Sequence, residues 1–297
     1  MDDLKRDEMN ADLTLSQLDS LAPRQTFSRR GFAMTTLGVG FALAAQPIQA
    51  QTVITTDAQG LDAGEVKVPT KDGLMPAYRA RPHNGQNLPM VLVIHEIFGV
   101  HEHIKDLCRR LAHAGYYAIA PDLYARLGDA SKISDIPTLM GPTGIVTKTS
   151  DDQVKGDLDA AVKFAATEKA DTKRLAVTGF CWGGRQTWLY TEQTPAVRAA
   201  AAWYGPLNTP GKSPIGLAAG AKGRVIGFYG GKDTGITAEH VETMRKALAD
   251  AGDKDSKIIV YADAQHGFNA DYRPSYNAAD AKEAWSNMLA WFRGHGV

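Results

Sequence analysis

Two cysteines, Cys108 and Cys181, are all the thiols in this 297-residue chain. That excludes a disulfide framework, and neither thiol falls in the Cys/His spacing of a zinc site. The chain also lacks an excess of one charge: 33 Lys and Arg face 33 Asp and Glu. Without a basic excess there is no electrostatic footprint for nucleic acid, and none is expected as a partner. No apolar run reaches the roughly 20 residues that a membrane-crossing helix needs. His101-Glu102-His103 is not the H-E-x-x-H of a helical zinc site, and alternate residues on a helix point apart, so no metal is expected there. What is present, 44% hydrophobic and 22% charged residues, is an ordinary globular composition. The length suits one large α/β domain or two small ones.

Residues 1–26 are polar and of mixed charge, without an apolar period. Then come Ser28-Arg29-Arg30-Gly31-Phe32-Ala33-Met34, an apolar stretch from Thr35 to Ala45, and Pro47-Ile48-Gln49-Ala50. Basic, apolar, small-residue is the order of an export signal, and the paired arginines before Phe32 resemble the bacterial twin-arginine type. Met34 stands where that pattern often has Lys. Cleavage is expected after Ala50, with Ala44 or Ala45 as alternatives. The expectation is a signal over residues 1–50, use of the twin-arginine export machinery, and a mature domain over 51–297 in the periplasm or outside the cell.

Beyond the signal, strand and helix patterns alternate. Gly64 to Arg81 reads as a hairpin turning at Lys71-Asp72-Gly73. Met90 to Ile94 and Tyr116 to Ala120 are continuous apolar runs, the mark of strands covered on both faces. His101 to Ala114 carries Ile104, Leu107, Cys108 and Leu111 at helical spacing. Leu127 to Ser150 reads as an irregular loop over the site, and Asp151 to Glu168 as a helix. Strands follow at Arg174 to Thr178, Ala199 to Tyr204, Arg224 to Tyr229 and Lys257 to Ala262, with helices near 238–251 and 278–292. This alternation predicts a single α/β domain with a mostly parallel sheet and helices on both faces. Ligands bind beyond the carboxyl ends of such strands. His95-Glu96, Asp122, Cys181, Asp233 and His266 all fall there.

The most informative stretch is Gly179-Phe180-Cys181-Trp182-Gly183-Gly184, between a β-rich run and a helix-competent one. It matches the nucleophile elbow G-x-S-x-G with Cys for Ser, at a turn where the flanking glycines let strand and helix approach. A thiol attacks as thiolate, so it needs a base, and the base needs a partner that fixes its tautomer. The α/β-hydrolase order of nucleophile, acid and histidine selects Cys181, Asp233 and His266, with Asp263 and His240 as rivals. The backbone N–H groups of Trp182 and Ile97 are the expected oxyanion hole. Cys108, on an apolar helix face, is expected to be inert.

His95-Glu96-Ile97-Phe98-Gly99-Val100, Pro121-Asp122-Leu123-Tyr124-Ala125-Arg126, the Cys181 elbow, Gly230-Gly231-Lys232-Asp233 and His266-Gly267-Phe268 together resemble the dienelactone hydrolase family. The resemblance implies a monomeric α/β-hydrolase with a Cys-His-Asp triad and neither cofactor nor metal. The activity it implies is hydrolysis of the enol-lactone carboxymethylenebutenolide to maleylacetate. It also implies that Glu96 pairs with the resting thiol and helps it ionise; an ion pair with a nearby Arg, such as Arg126, is the alternative for Glu96. Tyr124, Arg126, Trp203, Tyr204, Phe268 and Arg273 are candidates for the substrate pocket. Two features depart from the family. Its arginine four residues after the catalytic histidine is Ala270 here, with Arg273 three further on. Residues 127–150 contain neither Arg nor Tyr. Another lactone, a simple ester or a thioester therefore stays open as substrate, as does a non-catalytic periplasmic binder on the same fold.

Overall fold

The computed structural model describes residues 54–133 and 135–297. The paired arginines at 29 and 30 and the expected cleavage sites lie outside the described residues. Eight strands form one sheet: β1 (Leu61–Thr70), β2 (Gly73–Pro82), β3 (Pro89–Ile94), β4 (Tyr117–Pro121), β5 (Asp171–Phe180), β6 (Val197–Trp203), β7 (Val225–Gly230) and β8 (Lys257–Tyr261). Their order is β1-β2-β4-β3-β5-β6-β7-β8. β1 and β2 form the expected antiparallel hairpin, β2 runs antiparallel to β4, and the other neighbours are parallel.

Successive strand residues point to opposite faces. All residues of β4 and β7, and Met90 to Ile94 of β3, are buried, so both faces of the central sheet are covered. Each fully buried aliphatic side chain here contributes about 1.5–3 kcal/mol. The cover comes from α1 (Glu102–His113), α4 (Asp151–Thr167), α5 (Trp182–Gln193) and α8 (Ala278–Gly294), while α7 (Ala238–Asp250) stands between β7 and β8 in the chain. α1 packs on β2, β3 and β4, α5 on β5 and β6, and α8 on β6 and β7. Ile104, Leu107, Cys108 and Leu111 face inward as their spacing predicts. Among the described residues no helix is long and apolar enough to cross a membrane.

The segment expected to be an irregular loop holds two short helices, α2 (Ile136–Met140) and α3 (Ile145–Lys148). Local chemistry starts the first: the Asp135 carboxylate accepts the Thr138 N–H at 2.8 Å, and Pro137 sits in the first turn, where its missing N–H costs nothing. α6 (Pro214–Leu217) is a similar single turn capped by Ser213.

β3 has β4 on one side and β5 on the other. The chain therefore leaves β3 in one direction and later returns on the opposite side, which opens a crevice beyond the carboxyl ends of β3 and β5. His95-Glu96-Ile97 and Cys181 stand at those two ends.

Candidate active site

β5 ends at Phe180 and α5 begins at Trp182, so Cys181 alone makes the turn, at φ 55° and ψ −120°. A non-glycine residue held there costs about 1–3 kcal/mol, and it persists only where its surroundings enforce it. The Cys181 N–H donates to the Trp203 carbonyl at 3.0 Å, and the Cys181 carbonyl accepts from Gly184 and Arg185 at 2.9 and 3.2 Å. Gly179 and Gly183 allow the close approach. A Cβ on Gly179 would lie 2.3 Å from the Gly183 carbonyl oxygen, and one on Gly183 would lie 2.4 Å from the carbonyl oxygens of both Ile94 and His95. From the other side, Arg185 grips Asp151 at the start of α4 with bonds of 2.7 and 2.9 Å.

The Cys181 side chain is hydrogen-bonded to His266, in the loop after β8. His266 Nδ1 lies 2.8 Å from Asp233 Oδ2, which leaves Nε2 for the sulfur. Asp233 follows β7, and its other oxygen accepts the N–H groups of Gly235 and Ile236 at 2.8 and 3.0 Å, so the carboxylate is fixed at both oxygens. Burial opposes a charge on His266, but the Cys181 sulfur and Asp233 outweigh it and raise the pKa to about 10. The rivals stand elsewhere. Asp263 is exposed and paired with Lys232 at 2.7 Å, and His240 lies in the first turn of α7. Both cysteines are free, and burial pushes the Cys108 thiol well above its ordinary pKa.

At Glu96 the structure shows the ion-pair alternative, with Arg273 as the arginine. Glu96 is fully buried, and its partners are Arg273 (Nη2 to Oε1, 3.3 Å), the Tyr272 hydroxyl and His101 (3.7 Å to Oε2) rather than the thiol. Burial alone would raise its pKa, but the Arg273 guanidinium and His101 hold it well below the usual carboxylate range. A buried carboxylate with a matched cation resists protonation. The alternative partner, Arg126, binds Asp157 at 2.7 and 2.9 Å and Asp72 at 2.8 Å, tying α4 to the β1–β2 turn instead of lining the crevice. Trp203 is also core rather than pocket: it is fully buried between Phe180 and Phe228, and its indole N–H donates to Thr178. The His101 and His103 rings do not point apart, because His101 is the residue before α1; they lie nearly parallel, 6.1 Å apart.

Tyr204 and Phe268 reach the site. The Tyr204 ring, held at φ 39°, meets His266 edge-on at 5.1 Å and Phe268 at 5.5 Å. Tyr124 packs on His95 and Trp182. The hydroxyls of Tyr124 and Tyr204 are buried without a hydrogen-bond partner, and both groups are electrostatically coupled to Cys181. An unpartnered buried hydroxyl is costly, so such atoms mark places where a ligand can supply the bond. The Trp182 N–H, at the first position of α5, has no intrahelical acceptor. The hydrogen bonds of the β3–α1 loop, Gly99 to Glu96 and His101 to Gly99, leave the Ile97 N–H unused. Sequence reasoning gave no role to Tyr272, His101 or His95. All three act through tertiary contacts that no local pattern announces. Among the described residues no cluster of His, Cys, Asp and Glu could hold a metal.

Comparison with known proteins identifies the family. The Dienelactone hydrolase family profile matches residues 75–296. A protein of Methylorubrum extorquens that bears the provisional name carboxymethylenebutenolidase is 53% identical over 288 residues, covering 95% of this chain and 98% of its own. An Escherichia coli K12 protein of the same provisional name is 50% identical over 269 residues, covering 88% and 97%. A crystal structure from Klebsiella pneumoniae, described as a provisional dienelactone hydrolase, superposes with a TM-score of 0.75 at 50% identity, over 78% of this chain and 98% of that one. The strand-to-helix turn at Cys181, the eight-stranded sheet and these relatives converge: the chain belongs to the dienelactone hydrolase family.

Proposed function

We propose that this hydrolase cleaves a lactone or carboxylic ester through a covalent acyl-enzyme on Cys181. His266 takes the thiol proton and later delivers a proton to the leaving oxygen, while Asp233 holds the ring and balances the imidazolium. The negative oxygen that forms on the attacked carbonyl is received by the Ile97 and Trp182 N–H groups. Water, activated by His266, then releases the acid and restores the thiol. The observation that carries this reading is the chain of contacts from Cys181, at its strained turn, through His266 to Asp233 at 2.8 Å. Tyr124 and Tyr204 offer their hydroxyls to substrate oxygens. The enzyme acts as a monomer without metal or cofactor.

Carboxymethylenebutenolide, the substrate in the names of the relatives, is the first candidate. A second reading, a broader esterase or thioesterase, is favoured by one feature. Arg273, which interacts electrostatically with Cys181, already faces Glu96, and Ala270 stands where the family has an arginine four residues after the histidine. We further propose twin-arginine export. A processed chain starting near Gln51 in the periplasmic fraction, lost when Arg29 and Arg30 are both changed to Lys, is the outcome that supports it; an unprocessed cytosolic chain in wild type refutes it.

The test of the catalytic reading uses p-nitrophenyl acetate and a dienelactone side by side, with intact-mass detection of an adduct. Turnover with an acyl adduct on Cys181, both absent in Cys181→Ala, is expected. Turnover that survives Cys181→Ala sinks the mechanism, and the rate ratio between the substrates chooses between lactonase and esterase.

A further inference from the structure

The fully buried His95, one residue beyond β3, makes hydrogen bonds in two directions. Its Nδ1 lies 2.7 Å from the Glu96 carbonyl oxygen, and its Nε2 lies 3.2 Å from the Leu123 N–H. These partners settle the tautomer. A carbonyl oxygen can only accept, so Nδ1 carries a hydrogen and donates it. A backbone N–H can only donate, so Nε2 must be bare. The ring is therefore neutral and of one tautomer. Burial agrees, driving its pKa down to about 4. A neutral imidazole with both nitrogens occupied cannot exchange protons with substrate.

The importance of this ring lies in which peptide it holds. The Glu96 carbonyl and the Ile97 N–H belong to the same planar peptide unit, so fixing one end fixes the direction of the other. A hydrogen bond accepted by the carbonyl also polarises the unit and makes its N–H a stronger donor. The imidazole face meanwhile stacks on the Trp182 indole, with centroids 5.6 Å apart and planes 19° apart, and Tyr124 meets it edge-on at 4.6 Å. Trp182 supplies the second N–H of the proposed oxyanion hole. One side chain thus touches both halves of that hole: through the peptide of one donor and against the side chain of the other.

We propose that His95 is a positioning residue for the oxyanion hole, orienting the Glu96–Ile97 peptide and bracing Trp182 so that both N–H groups converge on the carbonyl oxygen under attack. The inference rests on the acyl-enzyme reading above, and the experiment separates the two. Acylation by p-nitrophenyl acetate places charge on a carbonyl oxygen and needs the hole. Alkylation by iodoacetamide does not: the Cys181 thiolate displaces iodide at a saturated carbon, forming the C–S bond as the C–I bond breaks.

His95→Phe keeps a ring against Trp182 and removes both hydrogen bonds. Deleting one oxyanion donor outright costs about 10²–10³ in kcat, so misdirecting one is expected to cost about 10–100-fold. The expected result is that loss in the acylation rate with KM and the iodoacetamide rate both within about twofold of wild type. Two further variants decide the question even if the Phe protein does not fold. Asn places its amide N–H where Nδ1 is and can serve the Glu96 carbonyl, whereas Gln reaches toward the Nε2 position and can serve the Leu123 N–H. His95→Asn acylating close to wild type, with His95→Gln slow, is the outcome that supports the inference. Equal rates for the two, the reverse order, or a parallel loss of acylation and alkylation overturns it. A wild-type protein that is alkylated at Cys181 but never acylated overturns the acyl-enzyme reading and this inference with it.

Discussion

Adding one methyl group at Gly183 tests how closely the elbow helix is fitted to the sheet. A Cβ there would stand 2.4 Å from the carbonyl oxygens of Ile94 and His95, and 2.8 Å from the Ile94 carbonyl carbon. These obstacles are backbone atoms at the end of a strand whose residues from Met90 onward are fully buried, so no flexible side chain can yield. Relief requires α5 or the β3–α1 loop to move by roughly half an ångström or more, and overpacking of this kind costs about 1–3 kcal/mol. The movement also separates the two N–H groups that the mechanism needs together. A shift of about 1 Å in catalytic geometry costs on the order of 10²-fold, so Gly183→Ala is expected to lose about 10–100-fold in kcat. Gly156, in the middle of α4, is the control: nothing lies within 4 Å of its would-be Cβ. Gly156→Ala is expected to leave turnover unchanged and to stabilise the fold by about 0.5–1 kcal/mol through helix propensity and a less free unfolded chain. Urea unfolding gives the stabilities, and p-nitrophenyl acetate hydrolysis gives the rates. A Gly183→Ala protein with wild-type stability and rate would refute the argument that backbone contact positions the elbow.

Three more predictions concern charge. Asp233→Asn keeps the shape of the Asp233–His266 contact but removes the charge that balances the imidazolium; kcat is expected to fall by about 10²–10⁴. A loss below threefold in stopped assays would remove Asp233 from the mechanism. Glu96→Gln removes the carboxylate charge that faces the Arg273 guanidinium, only 4% exposed, and should cost about 3–5 kcal/mol in urea unfolding. Glu96→Gln with Arg273→Met should recover part of that loss, and a strictly additive double variant would argue against coupling. Glu192 has both carboxylate oxygens buried without a partner, and burial raises its pKa to about 9. Between the ordinary value of 4.5 and about 9, the folded chain then holds a proton that the unfolded chain releases, so stability falls as pH rises through that window, by at most about 1.4 kcal/mol per pH unit. Glu192→Gln removes this slope: the variant should melt higher than wild type at pH 8 and alike below pH 4.5, whereas identical slopes would count against a neutral Glu192.

The strand pattern, and the three residues Cys181, His266 and Asp233 that the structure brings into contact, are legible in the sequence from apolar runs, glycine placement and chain order. Continuous apolar runs such as Met90 to Ile94 announce two-faced burial, and the glycines around Cys181 announce a close approach of strand and helix that a Cβ would block. Chain order then placed Asp233 and His266 beyond successive strands. What stayed hidden was partner choice among buried charges. Nothing local says that Glu96 meets Tyr272 and Arg273, 176 and 177 residues away, rather than the thiol or Arg126. Their pairing comes from the loop after His266 folding back over the end of β3. The same limit applies to His95, whose two polar contacts are ordinary backbone groups and leave no trace in residue type.

These hidden contacts fall on three consecutive residues. His95 directs its ring to Leu123 and Trp182, Glu96 sends its carboxylate to Arg273 and Tyr272, and Ile97 contributes its N–H. The Glu96 residue is therefore held at both ends, its carbonyl by His95 and its side chain by the buried cation, and the Ile97 N–H lies between restraints of different kinds. Restraints that share one peptide unit are not independent. A double-mutant cycle between His95→Phe and Glu96→Gln should consequently show coupling in the acylation rate. The second substitution is expected to cost less than it does alone, because either one already frees the peptide that presents the N–H. Full additivity of the two losses would mean that the Glu96–Arg273 pair stabilises the fold without steering the peptide, and that His95 alone sets the direction of the Ile97 N–H.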